Sequence, residues 1–411
     1  MLICSIDIMD GKAVQLRQGK ERVLTSETDP VELAKEFNRY GEVAVIDLDA
    51  ALGKGDNMEL IRRLCRVADV RVGGGIRDHS RARELLRAGA RQLIVGTAAT
   101  PEFLQELPAE RVMVAIDHVG GEVVDEGWTN STGEHLLERA ERVAPYCSGY
   151  LCTFVEDEGG MEGMDLEEVV RLGNALPHPV TFAGGIREGS EVAAISRLGY
   201  DVQVGMALYT GLLSASDVVV DCLDFEKCPQ MPTVVTDRAG QMLMLAYSTP
   251  ESLKRALSEG KGVYFSRSRE ELWVKGATSG HTQTLVSCRT DCDRDSLLFV
   301  VDQNGAACHT GSYSCFGGHL KKPQFSLNSL FEVLKSRKDN APEGSYTAKL
   351  FNSRKLLQRK IMEEAFEVAT FADRRELVWE IADALYFMSA LAVDEGIEWS
   401  EIEAELGGRN R

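Results

Sequence analysis

The residues best suited to chemistry lie in one short stretch, Asp291-Cys292-Asp293-Arg294-Asp295, followed by Cys308-His309 and then Cys315. If this stretch is a strand or its entrance, alternation puts the three carboxylates on one face and Cys292 on the other. Thiolates are soft ligands suited to zinc, and carboxylates are hard ligands suited to magnesium. The cysteines are 16 and 7 residues apart, so no CxxC pair closes a four-thiolate structural site. Three thiolates leave one zinc position open for water, as metal-assisted hydrolysis requires. The competing reading is a solvated acidic turn beside three buried cysteines.

A second carboxylate set has helical spacing. Glu363, Glu364 and Glu367 lie within one or two turns, and Glu380 with Asp383 repeats the pattern further on. Like charges so placed repel by a few tenths of a kcal/mol per pair. A cation held between two helices would turn that cost into binding, and oxygen-only ligands favour magnesium. The alternative is a solvated acidic face, although Ile361, Phe366, Trp379, Ile381 and Leu385 are then expected to find burial nearby.

The third set is defined by an internal repeat. Ser5-Ile6-Asp7 is echoed by Ala115-Ile116-Asp117, and Gly74-Gly75-Ile76-Arg77 by Gly184-Gly185-Ile186-Arg187, both at an offset of 110. Val95-Gly96 is echoed by Val204-Gly205 at 109. Apolar β-branched runs (Val43–Asp47, Leu93–Val95, Val112–Ala115, Val180–Phe182) alternate with helical patterns such as Ser80–Ala88 and Ser190–Leu198. Two repeats of about four βα units predict an eight-stranded (β/α)8 TIM barrel over residues 1–224, with a doubly wound open sheet as the runner-up. In a barrel the glycine pairs, with Gly96, Thr97 and Gly205, fall at strand ends where backbone N–H groups can surround a phosphate. The repeat therefore predicts two phosphate sites across one mouth, with Asp7 and Asp117 facing each other between them, one as base and one as acid. The bland alternative is that the glycines permit tight turns and the aspartates cap helices.

The elements that must position these residues divide the chain. Asp224–Pro232 carries two prolines among polar residues and marks a boundary. Residues 225–322 read as a small β-rich α+β zinc domain with one helix near Pro250–Glu259, and residues 323–411 as an all-α domain. A chain of 411 residues has room for these parts. Ten cysteines without a repeating framework fit a reducing cytosol, and the N-terminus lacks the basic region of a signal peptide. A net charge of −18 argues against nucleic acid as a bulk partner, and no apolar run is long enough for a membrane span. The expectation is a cytoplasmic protein whose partners are small anionic molecules.

Ser266-Arg267-Ser268-Arg269, Leu272-Trp273-Val274-Lys275-Gly276 and Thr278-Ser279-Gly280-His281-Thr282-Gln283 precede the acidic stretch. In this order, with Cys308-His309-Thr310-Gly311 and Ser314-Cys315-Phe316, they closely resemble phosphoribosyl-AMP cyclohydrolase. The resemblance covers about residues 225–318. It implies zinc-dependent hydrolytic opening of an adenine ring, with zinc thiolates from two subunits: Cys292 from one, Cys308 and Cys315 from the other. It makes Asp291, Asp293 and Asp295 magnesium ligands. His281 and His309 are candidates for proton transfer. Arg267, Arg269 and Lys275 are candidates for neutralising substrate phosphate. Shared thiolates imply a homodimer. One departure is Ala246-Tyr247-Ser248-Thr249, a Tyr-Ser form similar to that of fused fungal proteins.

Ile6–Lys12, Val14–Gly19 (with Arg17), Ile46–Gly53 and Gly127-Trp128 resemble phosphoribosylformimino-AICAR-phosphate isomerase, a barrel enzyme that converts an aminoaldose to an aminoketose. The resemblance makes Asp7 and Asp117 its paired catalytic aspartates and Arg17 a substrate-binding residue. It departs at the sixth strand, where Phe154 and Glu158 stand in place of two aspartates. Ser345–Phe351 ahead of the glutamate pattern resembles phosphoribosyl-ATP pyrophosphohydrolase. That implies magnesium-assisted release of pyrophosphate with Glu364 and Glu367 at the reacting centre. Here Tyr386-Phe387 stands where the family usually has Tyr-His, although fungal relatives carry Tyr-Phe. The three implied reactions are consecutive. Two alternatives remain: a non-catalytic barrel that serves as an assembly module, and a last domain that hydrolyses non-standard nucleotides.

Overall fold

In a computed structural model the described residues are 1–17, 19, 21–125, 127–316, 325–342 and 344–407. The expected boundary at 322/323 lies outside them. The described residues up to Phe316 form one compact unit, and those from Phe325 a second.

Eight parallel strands close into a barrel: Leu2–Met9, Val43–Asp47, Val70–Gly73, Gln92–Val95, Val112–Val119, Gly149–Phe154, Val180–Ala183 and Asp201–Val204. Closure is the pairing of Leu2 with Val202 and Cys4 with Val204, which rules out the open sheet. Each strand is short, β-branched and buried, as strands covered on both faces must be. The two-fold repeat extends beyond the residues that revealed it. An antiparallel excursion follows the first strand (Lys12–Arg17 with Glu21–Thr25), and another follows the fifth (Glu122–Asp125 with Asn130–His135). Inside the barrel Ile94, Met113, Leu151 and Ala183 form one packed layer. Arg71 Nη1 donates to Thr181 Oγ1 at 3.0 Å, joining two positions 110 residues apart.

The halves differ at one structurally informative place. In the first, buried Asp47 caps the helix Leu48–Ala51 and accepts from Asn57 N and Nδ2 and from Arg81 Nη2. In the second, Phe154 has nearly the same backbone angles (φ −80°, ψ 92° against −79°, 93°) but no side-chain cap. Its ring instead packs against His118 and Phe182. A charged loop anchor in one half is thus an apolar one in the other.

The rest of the first unit is a four-stranded sheet in the order Met242–Ser248, Met231–Thr236, Leu297–Gln303, Gln283–Thr290, with a two-stranded hairpin Val263–Ser266/Glu271–Val274. Helix Pro250–Glu259 begins at a Thr249–Ser252 capping box and ends at Gly260 in the left-handed region. The unusual Tyr-Ser-Thr segment is therefore structural at two positions, since Thr249 caps this helix and buried Ser248 bonds Thr233 at 2.7 Å. The sheet shares a hydrophobic core with the barrel. Arg289 reaches Asp69 at 2.6 Å and Asn38 at 3.2 Å, and Arg39 donates to the Leu257 carbonyl.

The second unit is helical: Leu327–Asp339, Tyr346–Phe351, Arg354–Thr370, Arg374–Asp394 and Trp399–Gly407. Phe331, Leu334, Leu350, Leu357 and Phe387 form its core. Burial of the apolar residues beside the glutamates holds only in part. Ile361 packs against this core, but Phe366 and Trp379 are both 68% exposed and Ile381 is 42% exposed. They lie on the two longest helices described in this unit and form an apolar face that the described residues of the unit leave exposed.

Candidate active sites

The barrel mouth holds a cavity of about 560 Å³. Asp7, Asp117, both glycine pairs, Gly96, Thr97 and Gly205 all line it, so the structure brings the repeat's landmarks together. Arg17 is exposed at the end of its strand and does not itself line the cavity, although its backbone abuts Gly159, which does. The glycine pairs are required by backbone crowding. At Gly74 (φ +94°) an added Cβ would lie 2.2 Å from the Asp47 carbonyl oxygen, and at Gly184 (φ +102°) 2.5 Å from that of Phe154. Each pair presses a strand end onto the preceding βα loop, and the lesson of the repeat is geometric in both halves.

Asp7 accepts from Ser5 Oγ at 3.1 Å, and burial pushes its carboxyl up to about 6. Asp117 accepts from Trp128 Nε1 at 2.8 Å; burial raises it too, opposed by bonds from Thr153 and Trp128. In the sequence Glu158 stands out only as a departure from a family pattern. The structure puts it in the cavity wall, where burial and the charges of Asp7 and Asp117 push its carboxyl up to about 8. The signal available in the sequence was its place before Gly159, after the sixth strand. Phe154, the other departure, does not line the cavity.

In the sheet part, the acidic stretch is a turn, not a strand. It joins Gln283–Thr290 to Leu297–Gln303, with Arg294 at φ +61°. Asp291 accepts from the backbone N–H of Asp295 and Ser296 and from the Ser296 hydroxyl; burial is the largest single influence and raises its carboxyl, but these hydrogen bonds together outweigh it and hold the carboxyl below the usual range. Turn closure, rather than strand alternation, gathers the oxygens of Asp291, Asp293 and Asp295 within 4.8 Å of one another.

Cys308 and Cys315 interact, and the Thr310 hydroxyl donates to Cys308 Sγ at 3.1 Å. That bond lowers the Cys308 thiol, while burial and then Cys308 raise Cys315, so one sulfur of the pair ionises more readily than the other. Cys292 is exposed on the turn and does not join them: the three sulfurs do not come within 4.8 Å in the single chain. His309 Nδ1 is 3.9 Å from Cys308 Sγ. His281 is held by two glycines, its ring against Gly305 and its carbonyl against Gly276. Arg267 stacks over Tyr247 at 3.7 Å, and Arg269 pairs with Glu271 at 3.1 Å. Of these three basic residues Lys275 is the buried one. Its buried ammonium donates to the carbonyls of His281 (3.0 Å) and Ala306 (3.1 Å), where it braces the loops that carry His281 and the cysteines.

In the helical unit two overlapping groups have carboxylate oxygens within 4.8 Å: Glu363, Glu364, Glu367, and Glu364, Glu380, Asp383. Buried Glu364 belongs to both. These all-oxygen donor sets suit a hard divalent cation.

Comparison with known proteins follows the same division. A histidine biosynthesis protein family matches residues 1–214, phosphoribosyl-AMP cyclohydrolase residues 244–317, and phosphoribosyl-ATP pyrophosphohydrolase residues 327–410. The histidine biosynthesis bifunctional protein HisIE of Parasynechococcus marenigrum is 42% identical over 212 residues, 47% of this chain and 95% of that protein. That of Thermotoga maritima is 42% identical over 193 residues, 44% of this chain and 98% of its own. The histidine biosynthesis trifunctional protein of Kluyveromyces lactis is 44% identical over 180 residues, 43% of this chain. The chain spans about a fifth of the length of the trifunctional relatives, 22% in that case. The protein is a multidomain member of the histidine biosynthesis protein family, with a cyclohydrolase domain and a pyrophosphohydrolase domain behind its barrel. Among the described residues no helix is long and apolar enough to cross a membrane.

Proposed function

We propose that the chain catalyses three consecutive steps on phosphoribosyl nucleotides in the cytoplasm, as a homodimer. Residues 323–411 release pyrophosphate from phosphoribosyl-ATP, residues 225–322 open the adenine ring of phosphoribosyl-AMP, and residues 1–224 isomerise the resulting aminoaldose to the aminoketose. The barrel mouth carries this reading for the isomerase: two aspartates face one cavity between paired glycine turns. A substrate with a phosphate at each end spans those turns. A protonated carboxyl donates to the ring oxygen as the C1′–O bond breaks. A carboxylate then removes the C2′ proton. Asp7, at about 6, is mostly ionised at neutral pH and suits the base; Asp117 suits the acid, with the proton on Glu158 beside both. The Phe154 departure falls on a loop anchor outside the cavity, so it does not touch this chemistry.

For ring opening, a zinc ion would be held by Cys308, Cys315 and the partner subunit's Cys292. The separation of Cys292 from the pair within one chain supports this sharing. Zinc bound there would supply water activation, and magnesium at the acidic turn and the helical carboxylates would supply charge neutralisation. His281 and His309 move protons beside the thiolates, while Arg267 and Arg269 neutralise phosphate.

Feeding phosphoribosyl-ATP to purified protein with both metals, and identifying every product, tests the sequence of steps. Asp7→Asn or Asp117→Asn should lower isomerisation by about 10³-fold and leave both hydrolyses intact. Wild-type protein that stops at the aminoaldose would make the barrel an assembly module. Turnover of non-standard triphosphates in preference to phosphoribosyl-ATP would reassign the helical unit.

A further inference from the structure

The carboxylates of the helical unit already hold a cation of the chain's own. Lys360 lies one turn before Glu364 on helix Arg354–Thr370. Its Nζ is 2.7 Å from Glu364 Oε1 and 2.9 Å from Glu363 Oε1. The ammonium is also 5.3 Å from the centre of the Phe387 ring, on the facing helix Arg374–Asp394. The side chain is only 19% exposed and Glu364 is 3% exposed, so this ion pair is largely removed from water. Glu364 is the carboxylate common to both candidate metal groups.

Two cations cannot comfortably share these oxygens. A buried carboxylate needs a counter-charge, which Lys360 provides in the metal-free chain. A divalent ion binding Glu363 and Glu364 would bring two positive charges next to the ammonium, and in a partly desolvated site that repulsion is strong. The lysine must then leave, and its flexible stem with three donors lets it turn to a phosphate. We propose that Lys360 is an internal counter-ion that competes with the divalent cation for Glu363 and Glu364 and passes to the substrate's phosphates when the metal binds. The inference rests on the magnesium-dependent pyrophosphohydrolase reading and adds coupling to it. Metal alone binds weakly because it must displace the lysine. A polyphosphate gives the displaced ammonium a partner, so metal and nucleotide bind cooperatively, and each must raise the other's affinity by the same factor.

The test is manganese binding to the whole protein, with and without a non-hydrolysable nucleoside triphosphate. The relevant component is the one lost in Glu364→Gln, which separates it from ions at other sites. Lys360→Met should tighten nucleotide-free binding of that component by about tenfold and remove most of the enhancement by nucleotide. It should also lower the metal-free melting temperature of the helical unit and raise KM more than it lowers kcat. Lys360→Gln, which keeps a neutral donor, gives the same reading if the Met variant does not fold. Unchanged nucleotide-free affinity in both lysine variants would overturn the counter-ion role while leaving the metal site in place. Manganese binding that is the same in wild type and Glu364→Gln would instead remove the metal site itself, and the inference with it.

Discussion

Asp7, Asp117 and Glu158 share one cavity wall, and like charges so enclosed cannot all be ionised without cost. Because Glu158 is raised from 4.5 to about 8, the folded state binds a proton that the unfolded state has lost between those values. Its contribution to stability is complete below about pH 4.5 and disappears as pH rises through about 8. Denaturation of the first unit at pH 5 and pH 9 should show a loss of roughly 4 kcal/mol at the higher pH. Glu158→Gln should flatten that slope; an equal slope in the variant would move the effect to other groups. The thiolates offer a second test at this scale. Cys292→Ser and Cys308→Ser proteins should each lack ring opening, yet dissociating and mixing them should restore about a quarter of wild-type activity. Random pairing makes half the dimers mixed, each with one intact site. No recovery on mixing would place all three sulfurs in one chain.

At the scale of elements, the glycine turns and the loop anchors decide the shape of the mouth. Gly184→Ala would force a left-handed alanine and a contact 2.5 Å from the Phe154 carbonyl oxygen. It should cost about 2–4 kcal/mol and weaken binding of a bisphosphate ligand, measurable by unfolding and by titration. Asp47→Ala should cost about 3 kcal/mol, since it removes the fully buried carboxylate that Arg81 and Asn57 share and leaves Asn57 with Asp49 as its remaining acceptor. The offset of 110 made the glycine turns legible in advance. The Asp47–Phe154 exchange was not, because one letter in a sequence does not say whether an aspartate faces substrate or its own loop.

At the scale of the molecule, the first unit joins barrel and sheet through a common core and the Arg289–Asp69–Asn38 contacts. Arg289→Ala should therefore destabilise the barrel and the sheet together, by about 1–2 kcal/mol, and both should unfold in one thermal transition. Separate transitions would show that the shared core does not couple them. In the second unit, replacement of the exposed Phe366 and Trp379 by Asp should shift the proposed homodimer toward monomer in sedimentation.

By itself the sequence determined the barrel, the small sheet and the helical end, because periodic burial and a repeated landmark pattern are local or evenly spaced along the chain. It also identified the residue types of each site, since ligand chemistry follows from side-chain identity. Tertiary structure alone decided how they meet: that the acidic stretch is a turn, that Cys292 stands away from its two fellows, that Lys275 is a brace, and that Glu158 faces both aspartates. Those outcomes depend on distances between segments far apart in the chain and on what water each side chain loses, and neither quantity is a property of neighbouring letters.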